Sequence, residues 1–378
     1  MDSPTSAWNY YYDTNVSQPL NSVVNDKEEP EIKLDASNIR PRSGDFEQVN
    51  AALARTTNEN KLIYIYTLRH GRAAHNEQSN RFSKSIAWRF FAGIRTNFDP
   101  RLTKDGIDEA KMAGQILKGL VDAEGAPRPM KVYTSPLSRC VQTAMHTIKE
   151  LQLGPGVSLS VREGLREWKG YGQYHQSDRR GSVSDLLALV DGLNGSLGME
   201  IRPEIDPGLL QQSQQEAMED ELKGLGSETF TDVDIRLRRI LDEIFEVEQP
   251  GSCVMLVLHN RCNKSLLRLM GHSQDEVHNF DIENCAILSY LVKRTRLTDD
   301  EVRAREWNDR VGGCQQIYDQ TIALGDKEQQ HQLAAEEVKR LSAGEFQRLE
   351  SYLISEKERG DVWAVSAVED LYNCREGT

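Results

Sequence analysis

Residues 62–76 read LIYIYTLRHGRAAHN, an apolar run that stops abruptly in a polar, glycine-containing turn. The first seven residues are almost all apolar or β-branched, and an arginine, His70 and a glycine follow. This pattern is typical of a buried parallel strand that delivers polar side chains to the edge of a sheet. A second fully apolar run, residues 253–258, also stops at a histidine, His259. The chain therefore has two strand ends at which similar chemistry is expected.

Strand and helix patterns alternate along this part of the chain. The segments with the length and apolar content of strands are 62–68, 130–134, 157–161, 253–258 and 285–292. Helical patterns lie between them: Thr103 is expected to cap one helix, Ser135 to cap a second that Pro136 begins, and Asn263 to cap a third. The alternation predicts an α/β fold with a doubly wound, mostly parallel central sheet flanked by helices.

The sequence divides into three parts. Residues 61–296 carry the alternating pattern, and within them 162–207 is a long polar passage of the kind that often forms a lid or substrate wall. Residues 1–60 are an N-terminal extension whose aromatic cluster, near Trp8, predicts packing on the core. Residues 297–378 are charged and helical in texture. We expect them to form a C-terminal helical extension that packs back on the sheet or mediates self-association into a homo-oligomer.

The net charge is −13, from 46 Lys and Arg against 59 Asp and Glu, which argues against nucleic acid or an anionic membrane as a partner. No run of about 18 apolar residues is present. Residues 1–20 lack the basic start and apolar core of a secretory signal, so the expected location is cytoplasmic. The six cysteines show no CxxC spacing, which favours reduced thiols over disulfides or a zinc site.

His70 and His259 are the leading candidates for chemistry. In open α/β sheets ligands bind beyond the carboxyl ends of the strands, so two histidines at the ends of adjacent central strands would face one pocket. A third strand, 130–134, is followed by Arg139 in the first turn of a helix. Arginine provides planar, permanently charged donors, and a helix N-terminus also favours an anion. These residues together predict an anion-binding pocket.

Five blocks of sequence, in order, resemble the histidine phosphatase superfamily, which includes the cofactor-dependent phosphoglycerate mutases. They are RHG at 69–71 with Asn76 behind it, DPRLTKDGIDEA at 99–110, YTSPLSRCVQTA at 133–144, LRE at 165–167, and His259. YYYDTN at 10–15 and SDRR at 177–180 are similar to the fungal mutase-like branch. The resemblance covers roughly residues 7–292 and implies a phosphoglycerate mutase-like fold, with a catalytic domain at 61–296.

The resemblance also implies roles for individual residues. His70 is the expected nucleophile, which forms a phosphohistidine, while Glu167 is the general acid and His259 completes the catalytic set. The phosphoryl oxygens are expected to be bound by three residues: Arg69, Asn76 and Arg139. A glutamic acid ordinarily ionises near pH 4.3, so the role of Glu167 requires a raised pKa. No cofactor and no metal are implied.

The sequence departs from the superfamily pattern at three places. Arg72 stands where the family often has Glu or Gln, and Asn260 and Arg261 follow the second histidine where glycines are usual. Arg166 precedes the acid where mutases commonly have asparagine, and this change counts against a mutase. We hypothesise that Arg72 and Arg261 bind a second anionic group of the substrate.

The main interpretation is a phosphatase that hydrolyses a phosphate ester of a small anionic metabolite through a phosphohistidine at His70. The first alternative is a phosphoglycerate-mutase-like transfer, in which the phosphoryl group returns to a substrate instead of to water. The second is a non-hydrolytic descendant that has reused the anion pocket, an alternative motivated by the unusual residues after His259. Product analysis separates the first two, and a trapped phosphohistidine would contradict the third.

Overall fold

A computed structural model describes residues 8–12, 32–34, 46–73, 75–76, 99–154, 156–168, 176–211, 228–272, 277, 280–305, 347, 350–351 and 354. The strands are β1 (Trp8–Tyr12), β2 (Ile32–Leu34), β3 (Leu62–Arg69), β4 (Lys131–Thr134), β5 (Ser158–Val161), β6 (Pro203–Ile205), β7 (Cys253–Leu258), β8 (Phe280–Ile282) and β9 (Ile287–Arg296). The helices are α1 (Phe46–Arg55), α2 (Lys104–Glu124), α3 (Ser138–Leu151), α4 (Val183–Leu197), α5 (Pro207–Gln211), α6 (Phe230–Val247) and α7 (Asn260–Leu269). Short 3-10 turns lie at Glu163–Leu165 and Gln176–Asp178.

Within the described ranges, seven strands form one sheet in the order β1-β9-β3-β7-β4-β5-β6. The pairs from β3 through β7, β4 and β5 to β6 are parallel, whereas β9 runs antiparallel to both β3 and β1. The N-terminal aromatic segment is thus the edge strand of the sheet. β2 and β8 form a separate parallel pair. This topology confirms the predicted mostly parallel architecture.

Alternate residues of β3 face two separate hydrophobic layers. Tyr64, Tyr66 and Leu68 lie in the layer that α1, α2, α3 and α4 cover. Ile63 and Ile65 lie in the layer that α6 and α7 cover. All five side chains are buried, which explains why β3 is an unbroken apolar run rather than an alternating one. Helices on both faces make the sheet doubly wound, as predicted.

Two predicted helix caps are wrong. The first amide of α3, that of Ser138, donates to Asp99 Oδ1 at 2.8 Å, so Ser135 does not cap this helix. Ser135 stays at the strand end, where its hydroxyl lies against the second histidine. α7 begins at Asn260, directly after that histidine, so Asn263 lies inside the helix and does not cap it. The start of α3 is bound by Asp99, from a distant part of the chain, and α7 begins directly after His259 at the end of β7.

The start of α2 lies against the loop that follows β3. Thr103 caps the helix as predicted, accepting from Gly106 N at 3.1 Å, and its own amide donates to Arg72 O at 2.9 Å. A Cβ on Gly106 would lie 2.0 Å from Arg72 O, and a Cβ on Gly71 would lie 2.4 Å from Gly106 O. Glycine at both positions therefore allows the loop and the helix to touch.

The polar passage 162–207 contains both 3-10 turns, α4 and β6, while its residues 169–175 lie outside the described residues. The predicted C-terminal extension, 297–378, lies outside them for most of its length. Four of the cysteines are buried free thiols: Cys140, Cys253, Cys262 and Cys285. Across the described parts of the chain, no helix combines the length and apolar character needed to cross a bilayer.

Candidate active site

His70 follows the last residue of β3 and is buried. Its Nε2 lies 3.3 Å from Arg139 Nε, and its Nδ1 lies 2.8 Å from Gly71 O. Because an arginine N–H only donates, Nε2 accepts and the ring proton is on Nδ1, donated to Gly71 O. Burial lowers the pKa of His70 well below its usual 6.5, and the charges of Arg139 and Arg69 lower it further. The imidazole is therefore neutral, with an unprotonated Nε2 in the pocket.

The backbone around His70 is held by three other parts of the fold. Its amide donates to the carbonyl at the end of β7 at 2.9 Å, and its carbonyl accepts from Asn284 Nδ2 at 2.9 Å. The next amide, that of Gly71, donates to Thr143 Oγ1 on α3 at 3.0 Å. These bonds fix the direction of the ring without using its Nε2. The position of the nucleophile candidate is thus set by the sheet and α3 together.

Arg139 lies in the first turn of α3 and is 1% exposed. It donates from Nη1 to Ser177 O and from Nη2 to Asp178 Oδ1, the latter at 2.8 Å. Nη2 also lies 3.3 Å from His259 Nδ1. One guanidinium therefore touches both histidines and the 3-10 turn at Gln176–Asp178. Charge-assisted bonds of this kind orient the side chain as well as stabilising it.

His259 follows β7 and is fully buried. Its ring centroid lies 5.0 Å from that of His70, with the rings 63° apart. Its Nδ1 accepts from Arg139, so the ring proton is on Nε2, which donates to Ser135 Oγ at 2.8 Å. Burial and then the charge of Arg139 lower the pKa of His259 well below its usual value. The parallel pairing of β3 with β7 brings the two histidines together at one edge.

Glu167 follows the 3-10 turn at Glu163–Leu165, and its side chain is largely buried. Oε1 accepts from the amide of Trp168 at 2.9 Å and lies 4.0 Å from Cys262 Sγ. Burial raises the pKa of Glu167 from 4.5 to about 7, and the charge of Asp178 raises it in the same direction. The charge of Arg139 partly opposes this rise. Glu167 is therefore within electrostatic range of Asp178 and Arg139, and its carboxyl holds a proton up to about neutral pH.

A partly buried ion pair supports the segment that carries Glu167. Arg236 on α6 donates to both carboxylate oxygens of Glu228, at 2.7 and 3.2 Å, and to Gly164 O at 2.6 Å. The indole of Trp168 donates to Glu228 O at 2.7 Å. The segment is therefore held on both sides of Glu167 by the same pair. Neither residue of this pair was identified from the sequence.

The remaining predicted phosphate ligands lie beside His70. Arg69 donates from Nη1 to Ile282 O, and its charge contributes to the low pKa of His70. Asn76 Oδ1 accepts from the amide of Ala73 at 3.0 Å and closes the turn after the histidine. His75 is also nearby, with its ring centroid 5.9 Å from that of His70.

The two unusual arginines lie in different surroundings. Arg72 is ion-paired with Glu109 at 3.2 Å and with Asp105 at 3.5 Å, both on α2. Arg261, in the first turn of α7, lies over the rings of Trp168 and Phe230, at 5.6 and 5.3 Å from their centroids. Within the described ranges, no three His, Cys, Asp or Glu side chains are grouped as ligands for a metal ion.

The sequence matches the profile of the histidine phosphatase superfamily (branch 1) over residues 65–181 and 198–310. The chain belongs to the histidine phosphatase superfamily. A probable phosphoglycerate mutase from the fungus Arthroderma benhamiae is 29% identical over 247 residues, which are 63% of this chain and 66%, just under two thirds, of that protein. These matches confirm the family resemblance carried by the sequence motifs.

Two solved structures are also similar to this chain. The phosphoglycerate mutase of Bacillus anthracis str. Sterne is 19% identical, with 66% of this chain and 98% of that chain covered and a TM-score of 0.39. The ecdysone phosphate phosphatase of Bombix mori, in complex with tungstate, is 18% identical, with 60% of this chain and 88% of that chain covered and a TM-score of 0.36.

Two further residues of the pocket around His70 and Arg139 were not predicted to belong to it. Asp178 binds Arg139 and acts on the pKa of Glu167, and Ser135 accepts from His259. Asp178 lies within the SDRR block, so the motif was visible although the contact was not. Ser135 was interpreted as a helix cap, because a serine before a proline is a common helix start.

Proposed function

We propose that this protein hydrolyses a phosphate monoester of a small anionic metabolite through a phosphohistidine at His70, with Glu167 as the general acid. The proposal rests on the protonation of the pocket: His70 has an unprotonated Nε2, and Glu167 has a pKa of about 7. A neutral nucleophile and a protonated acid are the two forms that the first step needs. Membership of a superfamily of phosphatases and mutases supports this chemistry.

In the first step, His70 Nε2 attacks phosphorus and forms the N–P bond while the ester P–O bond breaks. The electron pair of the P–O bond goes to the leaving oxygen, which takes the proton of Glu167 and departs as an alcohol. The developing charge on the phosphoryl oxygens is stabilised by Arg139 and Arg69, with a donor from the side-chain amide of Asn76. His259 orients Arg139 through its Nδ1 while its Nε2–H is bound to Ser135. Arginine suits this role because its planar donors match the oxygens and it stays charged at all relevant pH values.

In the second step, Glu167 is ionised and accepts a proton from water. The water oxygen attacks phosphorus as the N–P bond breaks, and the electron pair returns to His70 Nε2. Inorganic phosphate leaves, and Glu167 is again protonated for the next cycle. A single carboxyl group that acts first as acid and then as base needs a pKa near the working pH, which fits the value of about 7.

Trapping of the phosphoenzyme tests the proposal. Rapid quench into base, with radiolabelled 4-nitrophenyl phosphate, should give one acid-labile, base-stable label that peptide mapping assigns to His70. His70→Ala should give none, whereas His146→Ala, a control on α3, should give the same label as wild type. Because 4-nitrophenolate leaves without a proton, Glu167→Gln should still form the phosphoenzyme and then lose it slowly. A label at another residue, or none in the wild type, would contradict the proposal.

The similarity to a probable phosphoglycerate mutase favours a second candidate, transfer of the phosphoryl group back to a substrate. Arg166, where mutases commonly have asparagine, is held by Glu163 at 3.1 Å. We expect the phosphoryl group to be transferred to water and not to a substrate hydroxyl, with release of inorganic phosphate. Phosphorus NMR of a reaction with 3-phosphoglycerate distinguishes the two: an isomerised ester without net phosphate release would establish the mutase.

A further inference from the structure

Arg72 and Arg261 differ in their charged neighbours. Arg72 lies within 3.5 Å of carboxylates from both Asp105 and Glu109. Two carboxylates therefore compete with any anionic ligand for the one guanidinium of Arg72. Arg261 is exposed, and no carboxylate of the described parts of the chain forms an ion pair with it. The same role was expected of both arginines from the sequence, but their surroundings differ: Arg72 is ion-paired, whereas Arg261 lies over aromatic rings.

The guanidinium of Arg261 is held by two aromatic rings. Its Cζ lies 5.6 Å from the ring centroid of Trp168 and 5.3 Å from that of Phe230, and these two rings are 4.7 Å apart. The Trp168 ring is itself fixed by the bond from its indole N–H to Glu228 O at 2.7 Å. A guanidinium over a ring keeps its in-plane N–H donors available for an oxyanion. Arg261 is thus ordered by contacts that leave its donors available.

The position of Arg261 relates it to one side of the reaction. It lies two residues after His259, and its charge acts on Glu167, whose neighbour Trp168 lies beneath it. If Glu167 protonates the leaving oxygen, the group that departs with that oxygen lies on the Glu167 side of the pocket. Arg261 is therefore on the side of the leaving alcohol.

We infer that Arg261, on its support of Trp168 and Phe230, is a subsite for a second oxyanion, a carboxylate or a second phosphate, on the leaving group of the substrate. This inference rests on the proposed function, because Glu167 marks the leaving-group side. The substrate class is then a phosphomonoester whose alcohol carries a further negative charge. Arg72, which is paired with two carboxylates, is not part of this inferred subsite, so the inference keeps only the Arg261 half of the hypothesis made from the sequence.

A matched set of substrates tests the inference: benzyl phosphate, 4-carboxybenzyl phosphate and 4-phosphonobenzyl phosphate. Wild type should prefer the two esters that carry a second anionic group on the benzyl ring. We expect their kcat/KM to be about tenfold higher than that of benzyl phosphate, the effect of one charge-assisted contact of about 1.4 kcal/mol. Arg261→Met, which keeps an apolar side chain over the rings, should abolish this ratio, whereas Arg72→Met should leave it unchanged. The ratio should also fall as salt is raised, since an exposed charge is screened. Comparison of the 4-carboxy ester with the 4-phosphono ester shows whether the subsite prefers a carboxylate or a phosphate-like group.

The corresponding non-hydrolysable phosphonates, measured by calorimetry, separate this inference from the proposed function. Wild type should bind 4-carboxybenzylphosphonate, or the analogue with a 4-phosphono group, more tightly than it binds benzylphosphonate, and Arg261→Met should remove this difference. That result would support the subsite even if none of the esters were hydrolysed. Equal affinities of all three phosphonates for wild type would overturn the inference. So would a preference that Arg72→Met removes and Arg261→Met retains. In either of these cases, a phosphohistidine at His70 would leave the proposed phosphatase intact.

Discussion

Glu167→Gln should stabilise the folded protein at alkaline pH while it abolishes efficient catalysis. Burial, with the added charge of Asp178, raises the pKa of Glu167 from 4.5 to about 7 in the folded chain. In the unfolded chain the same carboxyl ionises near its ordinary pKa. Glutamine has nearly the shape of a protonated glutamic acid but never ionises. The substitution therefore removes a charge that the fold disfavours, at the position where the proposed mechanism needs a proton.

The size of this effect follows from the two pKa values. A difference between 4.5 and about 7 corresponds to about 3.4 kcal/mol at 25 °C. Solvent contact of the partly exposed side chain reduces this, so we expect about 1–3 kcal/mol. Below pH 4.5 both states are protonated and nothing is lost. As pH rises from 4.5 to about 7, only the unfolded chain releases the proton, so wild type loses stability relative to the variant; above that the difference is constant.

Urea unfolding at pH 5 and pH 8 measures this difference. The free energy of unfolding of Glu167→Gln minus that of wild type should increase by about 1–2 kcal/mol between the two pH values, because part of the total is already present at pH 5, and the urea dependence should be unchanged. Glu59→Gln, at an exposed glutamate in the turn before β3, is the control and should show no such increase. At pH 6, kcat on an alkyl phosphate should fall by about a hundredfold or more in Glu167→Gln. An equal stability difference at both pH values would refute the reasoning.

Three other changes should have separable effects. Gly106→Ala should destabilise the fold by more than about 2 kcal/mol, because its Cβ would lie 2.0 Å from a backbone carbonyl oxygen. Gly119→Ala, on the same helix, has open space around its Cβ and should stabilise the fold by about 0.5–1 kcal/mol. Thermal unfolding of both variants measures the two effects. Asp178→Asn should lower the pKa of Glu167 and so move the alkaline limb of the kcat profile to lower pH; an unchanged limb would contradict the assigned cause. Arg236→Gln should lower kcat on the order of tenfold or more with KM little changed, because the acid is displaced; an effect on KM alone would count against this role.

The sequence predicted the parts of the site that depend on strand ends. β3 and β7 are parallel neighbours buried on both faces, so each is a continuous apolar run whose end is easy to identify. His70 and His259 come directly after those runs, and their adjacency follows once the strands pair. The strand order was not readable, because β7 lies between β3 and β4 although more than 100 residues of sequence separate it from each of them. Order in a sheet depends on packing between distant elements, which a local pattern does not encode.

The contacts that set the charges of the pocket were beyond the sequence for the same reason. Asp99 binds the start of α3 from 39 residues away, and Asp178 binds Arg139 across the same separation. Arg72 was expected to face a substrate, but α2 brings Asp105 against it. Such pairs have no spacing rule, unlike the contacts of residues three or four apart on a helix. A local sequence pattern can therefore identify the residues of a site without identifying their partners.

The proposed chemistry depends on reversing the ordinary order of the pKa values of His70 and Glu167. At its usual pKa of 4.5 a glutamic acid loses its proton before a histidine at 6.5 does, so at no pH are a neutral imidazole and a neutral carboxyl both the main forms. Burial disfavours the charged form of each, which lowers the pKa of His70 and raises that of Glu167. Arg139 beside the histidine and Asp178 beside the acid extend the separation further. Because Arg139 and Asp178 bind each other, one ion pair acts on both groups: its cation lowers the pKa of His70, and its anion raises that of Glu167 by more than the cation lowers it.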